Sequence, residues 1–277
     1  MGTLDLYIGR HARCEKDAVT GSSFNVFKEG ALQQVYNEVG VPIKETGTAQ
    51  IHPKDCMITF SSPEFVRTLY TAEAALIGAL GLKPVMGNEV PSNVADLCNF
   101  DLADVKIRQE RRLSYSSYST NEVAYARGGA KAVLEHWINN PALDTHEYEG
   151  EVVQITPFVE VIRETRDALR AGIRYALDSR VKLGFMVSHA IMVEPVIFNV
   201  LYPNGAELAL EGNFPKGVLD EIGGPVKEAE FLRLRLYVDG FRRARKAELT
   251  RNWNSNDAST KECDHLALLE NHQRYCA

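Results

Sequence analysis

The chain lacks a paired-cysteine signature. Its five cysteines, Cys14, Cys56, Cys98, Cys263 and Cys276, are odd in number and scattered, with no CxxC pair. That speaks against a disulfide framework, and a reduced cytoplasmic protein is the simple reading. Positive charge is also scarce: 31 Lys+Arg against 37 Asp+Glu leave a net charge of −6. A general nucleic-acid binder carries a basic surplus, so no nucleic-acid partner is expected. No long hydrophobic run is present. The longest apolar stretch, Val181–Leu201, contains Lys182, His189, Glu194 and Pro195, so no membrane span is expected. Met1–Gly9 lacks a basic region followed by a long apolar one, so no secretory signal is read there. Also missing are a GxGxxG turn after a strand, a GxxxxGK[ST] phosphate loop and a GxSxG nucleophile elbow. These absences disfavour a dinucleotide fold of that type, a P-loop nucleotidase and a serine hydrolase. There is no internal repeat and no low-complexity segment.

What remains is ordinary globular composition, 45% hydrophobic and 25% charged over 277 residues. At about 150 residues per domain, that length allows two domains, or one large α/β domain with an insertion. Leu4–Gly9, Asp55–Ser61, Leu183–Ser188 and Glu230–Val238 read as strands. Phe27–Val39 has helical spacing and ends near Gly40. Ser62 can cap a helix whose first residue is Pro63, with Leu69, Ala72, Leu76 and Leu80 as its apolar stripe and Gly81 as its stop. Val123–Ile138 reads as helical. Thr156 opens a long helix to about Arg180, with Val161, Ile162, Leu169, Ile173 and Leu177 on one face. Strands alternating with helices predict an α/β fold, a mostly parallel central sheet with helices on both faces. The strand candidates fall on both sides of residues 87–150, so a single domain over 1–277 with 87–150 as a helical or irregular cap insertion is the expected organisation. The segment 251–277 has few core residues and is expected to be a mobile tail or an oligomer contact, as in a homodimer.

Ligands in such folds bind beyond the carboxyl ends of the strands. Three strand ends carry one chemistry. Arg10-His11-Ala12-Arg13 follows the first, Ser62-Pro63 and Arg67 the second, and Ser188-His189-Ala190 the third. Arginine gives planar, permanently charged donors for phosphate oxygens, and a neutral imidazole is a good nucleophile near neutral pH. Arg67 in a first helical turn adds backbone N–H groups and a dipole that favour an anion. Each residue alone has a bland reading: a structural histidine, a surface arginine, a helix cap. A small phosphorylated substrate is the partner that the set suggests.

In this combination the sequence resembles the histidine phosphatase superfamily, in its phosphoglycerate mutase-like branch. The family's Arg-His-Gly is matched by Arg10-His11-Ala12, and its Leu-Thr-x-x-Gly-x-x-Gln is echoed by Phe27 to Gln33. Its Ser-Ser-Pro…Arg-x-x-x-Thr-Ala is matched by Ser61-Ser62-Pro63 and Arg67 to Ala72, and its Ser-His-Gly by Ser188-His189-Ala190. The resemblance spans about residues 4 to 200. It implies a phosphatase that hydrolyses a phosphate monoester through a phosphohistidine on His11, without metal or cofactor. Arg10, Arg67 and His189 would hold the phosphoryl oxygens, and a carboxylic acid would protonate the leaving oxygen. Glu89 is the best match for that acid; an exposed loop carboxylate is its bland alternative. Two other activities stay open. One is a mutase-like phosphotransferase, which Arg111-Arg112 near Tyr115 faintly echoes. The other is a non-catalytic phosphate-binding regulator, suggested by alanine in place of glycine after both histidines and by one extra residue before Arg67. Alanine would tolerate close packing but not glycine-only backbone angles.

Outside these motifs, Cys14 lies near His11, where a cationic pocket could lower its thiol pKa; a bland cysteine is the other reading. Cys263, Asp264, His265 and His272 lack a firm zinc spacing, so no metal is expected. Arg242, Arg243, Arg245, Lys246 and Arg251 form a basic cluster that reads as a solvated face.

Overall fold

The structure, a computed structural model, describes residues 2–14, 27–46, 51–61, 66–82, 103–114, 119–148, 150–255, 257–264 and 268–269. Strand β1 (Gly2–Arg10) alternates its side chains between two apolar layers. Leu4, Leu6 and Ile8 face one core and Tyr7 the other, which a strand buried on both sides requires. The chain then runs through α1 (Ala31–Val35), a π-helical turn (Tyr36–Gly40) and α2 (Val41–Thr46). Gly40, expected near a helix end, instead lies inside this continuous helical run. A Cβ there would sit 2.4 Å from the Ala75 carbonyl and 2.7 Å from Gly78. Glycine at 40 is needed for close helix–helix approach, not for termination.

Strand β2 (Cys56–Phe60) is buried along its whole length and leads toward α3 (Val66–Leu80). The Ser62 cap and Pro63 lie outside the described residues. Next come β3 (Lys106–Gln109), α4 (Ser119–Asn139, kinked at Gly129), and a separate hairpin of β4 (Thr145–Tyr148) and β5 (Glu151–Gln154). Helix α5 (Phe158–Asp178) buries the stripe expected of it, including Val161, Ile162, Leu169 and Ile173. Then follow β6 (Leu183–Ser188), α6 (Val193–Leu201), α7 (Gly205–Leu210), α8 (Val218–Glu221), β7 (Phe231–Val238), β8 (Ala244–Arg251) and β9 (Ser259–Cys263).

The main sheet has the order β3-β2-β6-β1-β7-β8-β9. The pairs β3/β2, β2/β6 and β6/β1 are parallel, and β1/β7, β7/β8 and β8/β9 are antiparallel. This is an α/β fold with a four-strand parallel centre extended by an antiparallel ribbon. Helices cover both faces: α5, α6 and α7 pack with Leu4, Met57 and Met186, while α1, the π turn and α3 pack with Ile58, Phe185 and Val187. Two segments differ from expectation. Residues 106–109, within the stretch expected as a cap, form an edge strand of the main sheet, and residues 259–263, within the expected mobile tail, form the opposite edge. Among the described residues, no helix is long and apolar enough to cross a membrane.

Candidate active site

The parallel strands end at a common edge, and the chain leaves each of them carrying a polar group. The His11 backbone N–H donates to the Ser188 carbonyl (3.0 Å), so the segments after β1 and β6 are stitched together just beyond the sheet. Helix α3 is tied to the same place. Thr71 Oγ1 accepts from the Ala12 N–H (2.9 Å) and donates to the Arg67 carbonyl (2.6 Å). These bonds bring His11, His189 and Arg67 together, with Arg10 at the end of β1. The two imidazoles lie 5.2 Å apart, edge to face.

The hydrogen bonds fix both tautomers. His11 Nδ1 lies 2.7 Å from the Ala12 carbonyl, so Nδ1 carries the proton and donates. That leaves Nε2 as the unprotonated nitrogen, with the lone pair that attack requires. Arg67 Nη2 lies 3.2 Å from His189 Nδ1. A guanidinium only donates, so this nitrogen is the acceptor and His189 Nε2–H donates to Ser61 Oγ (3.1 Å). Ser61 Oγ in turn lies 3.3 Å from the hydroxyl of the buried Thr68. Burial pushes the His11 pKa down to about 3, with the Arg67 charge adding to the effect against the Ala12 hydrogen bond. His189 is also held well below the ordinary histidine range, by burial first and then by His11, Arg67 and Arg10. Both rings are therefore neutral near pH 7, the state a nucleophile requires.

Alanine after each histidine costs no glycine-only geometry, since neither Ala12 nor Ala190 has a positive φ. The irregular angle falls one residue later, at Ile191 (φ 60°), a buried β-branched residue in the left-handed region. The turn it closes, with the Met192 and Val193 N–H groups donating to the His189 carbonyl (both 3.2 Å), holds His189 at the sheet edge.

The structure brings Arg10, His11, Arg67 and His189 to one place. Glu89 and Tyr115 lie outside the described residues. Several groups here were not among the residues expected from the sequence. Glu228, ahead of β7, places its carboxylate 3.4 Å from Arg10 Nη2 and 3.8 Å from Arg13 Nε. Glu194 in α6 is fully buried beside them, accepting from the Val226 N–H (2.9 Å), and burial raises its pKa. Glu110, just past β3, is bound by Arg108 (2.5 Å) and doubly by Arg112 (2.7 and 2.8 Å). Burial alone would raise the Glu110 pKa, but the hydrogen bonds and charge of Arg112, with Arg108, outweigh it and hold the group ionised. Arg112, an echo of a substrate-carboxylate clamp, is thus engaged with a carboxylate of its own chain. A glutamate just after a strand was a usable signal for Glu110. Glu228 and Glu194 had none, because they reach the site through tertiary contacts alone.

Burial raises the Cys14 thiol to about 11 despite the nearby Arg67 charge, so it is not an activated nucleophile. Among the described residues, no group of three His, Cys, Asp or Glu side chains is placed to hold a metal. His265 and His272 lie outside those residues. The basic cluster is mostly engaged within the chain. Arg242 donates to the Val181 carbonyl (2.7 Å), Arg245 pairs with Asp239 (2.7 Å), Lys246 with Glu248 (2.8 Å) and Arg251 with Glu230 (2.6 Å).

No protein-family description matches the chain. No curated protein sequence matches it either. Among solved structures it is similar to mycobacterial glucosyl-3-phosphoglycerate phosphatase (13% identity, 92% of this chain, 99% of that one, TM-score 0.46). It is also similar to Bacillus stearothermophilus YhfR (14%, 86% and 92%, TM-score 0.42). A third likeness is to phosphoglycerate mutase from Bacillus anthracis str. Sterne (11%, 96% of each chain, TM-score 0.41). At such identities and TM-scores these likenesses carry no argument about activity, which rests on the chain's own site.

Proposed function

We propose that the protein is a phosphatase that hydrolyses a small phosphate monoester through a phosphohistidine on His11. The observation that carries this reading is the His11 ring itself. It is neutral, its Nδ1–H is fixed on the Ala12 carbonyl (2.7 Å), which leaves the lone pair on Nε2, and the ring lies among Arg10, Arg67 and His189. In the first step His11 Nε2 attacks phosphorus and the bond to the leaving oxygen breaks. Arg10 and Arg67 bind the non-bridging oxygens, and the neutral His189, accepting from Arg67 on Nδ1 and donating from Nε2 to Ser61, orients the Arg67 guanidinium. Uncatalysed phosphate-monoester hydrolysis is among the slowest reactions known, so most of the acceleration falls to this cationic pocket. In the second step water displaces His11 from phosphorus and frees inorganic phosphate. A carboxylic acid must protonate the leaving alcohol; Glu89, the sequence expectation for it, lies outside the described residues.

The test is hydrolysis of an aryl phosphate by the wild type and by His11→Ala. Loss on the order of 10³-fold or more is expected, with unchanged folding. Equal activity in both, or phosphate release by neither across a panel of monoesters, overturns the reading. Phosphoryl movement between positions of one substrate with little free phosphate would mark a phosphotransferase. Phosphate or vanadate binding with no turnover would mark a non-catalytic binder.

A further inference from the structure

The proposed reaction needs a proton at the leaving oxygen, and one carboxylate is built into the site for this. Glu228 lies on the segment entering β7, which runs antiparallel to β1 and so starts where β1 ends. Its carboxylate touches Arg10 and Arg13 at 3.4 and 3.8 Å. The next residue, Ala229, donates its N–H to the His11 carbonyl (3.3 Å), which ties the Glu228 segment to the backbone of the nucleophile.

The segment is braced from behind. Ala229 takes a left-handed backbone (φ 60°), which turns the chain sharply at Glu228. Glu230 accepts from the Lys227 N–H (2.8 Å) and is gripped by Arg251 through two bonds of 2.6 and 2.8 Å. Arg251 also donates to the Gly224 carbonyl (2.9 Å) and to the Ile222 carbonyl. A loop fixed this tightly around a partly exposed carboxylate is what a positioned acid requires. Glu228 also lines an open groove of about 300 Å³, together with Gln34, Glu38, Lys227 and Asn252. Glu228 thus both touches the guanidinium that would hold the phosphoryl group and borders a polar groove.

We infer that Glu228 is the general acid and base of this site, resting on the reading of His11 as nucleophile. As the phosphorus–oxygen bond breaks, Glu228 gives its proton to the departing alkoxide. As a carboxylate, it then accepts a proton from the water that attacks phosphorus. The phosphorus–nitrogen bond breaks, His11 returns to its neutral form, and Glu228 is protonated again. Its first proton is the P–OH proton of the monoanionic monoester, handed over as the ester binds. The other described carboxylates near this edge are unsuited. Glu110 is 5% exposed and locked by three arginine bonds of 2.5–2.8 Å, whereas the Glu228 contacts are longer (3.4 and 3.8 Å) and its side chain is 36% exposed; Glu194 is 0% exposed.

The experiment separates the phosphorylation step from later ones by rapid quench, using a nitrophenyl phosphate and an alkyl phosphate. A nitrophenolate leaves without a proton; an alkoxide does not. Glu228→Gln is expected to keep the nitrophenolate burst within about threefold of wild type and then turn over slowly. On the alkyl phosphate its phosphorylation step should fall by about 10²–10⁴-fold, the usual contribution of a general acid. Glu228→Asp should recover part of that loss, and circular dichroism checks that each variant is folded. An equal loss on both substrates, no loss on either, or the same leaving-group dependence in Glu89→Gln instead, overturns the assignment. A wild type that forms no phosphoenzyme with either substrate overturns the His11 reading, and this one with it, by a separately visible result.

Discussion

Replacing Glu73 by glutamine should make the protein more stable in alkaline solution while changing little in acid. Glu73 lies in the middle of α3, 0% exposed, and neither carboxylate oxygen has a hydrogen-bond partner. Burial raises its pKa from 4.5 to about 8. The sign follows from proton counts. Between those two values the folded protein keeps the proton and the unfolded chain has lost it, so stability falls as pH rises. Below the unfolded pKa both states are protonated, and the group adds no pH dependence. Between about pH 5 and pH 8 the linkage removes about 3 kcal/mol from the wild type. Glutamine has nearly the same shape and no titration. It leaves its own polar atoms without partners, but that cost is constant with pH and drops out of the slope. The assay is urea denaturation of both proteins at several pH values. The stability difference should move by about 3 kcal/mol in favour of the variant across that range. A difference that stays flat would show that Glu73 is ionised at neutral pH in the fold, and the account of its burial would be wrong.

Other expectations concern the site. Arg67→Met removes a cation that holds both histidine pKa values down, so the imidazole resonances of His11 and His189 should titrate at higher pH in NMR; unmoved titrations would contradict their burial against Arg67. The same variant should lose about 10²–10³-fold in kcat, as when one fixed donor to a transition-state oxygen is removed. Thr71→Val strips the Ala12 N–H of its acceptor, and a buried orphan donor costs about 1–3 kcal/mol, measurable by chemical denaturation. His11, held to about 3 against an unfolded value of 6.5, acts oppositely to Glu73. It destabilises the fold as pH drops through that interval, because the unfolded chain binds the proton first. His11→Asn should flatten that acid-side loss.

The four residues gathered at the sheet edge were legible because each sits just past an apolar strand or in the first turn of a helix. Position after a strand of a parallel sheet is itself spatial information. The long amphipathic α5 was legible for a similar reason, since its apolar stripe survives intact over 21 residues. The antiparallel ribbon was only partly legible. β8 alternates buried Ala244, Ala247 and Leu249 with charged residues, and those charges made it look like a solvated basic cluster. Gly40 looked like a helix stop because its purpose lies in another helix. Glu228 and Arg251 could not be found from spacing. The bracing that gives them meaning joins the segment ahead of β7 to the end of β8, and only the folded sheet brings these together.

The most direct test of the central claim is to trap the phosphoenzyme. The wild-type protein is mixed with an aryl phosphate, quenched in alkali within milliseconds, and analysed by intact mass and peptide mapping. The account requires one phosphoryl group per chain, labile in acid and stable in base, on His11, and absent from His11→Ala. A phosphoryl group on another residue, or turnover with no covalent intermediate at any time point, would contradict it.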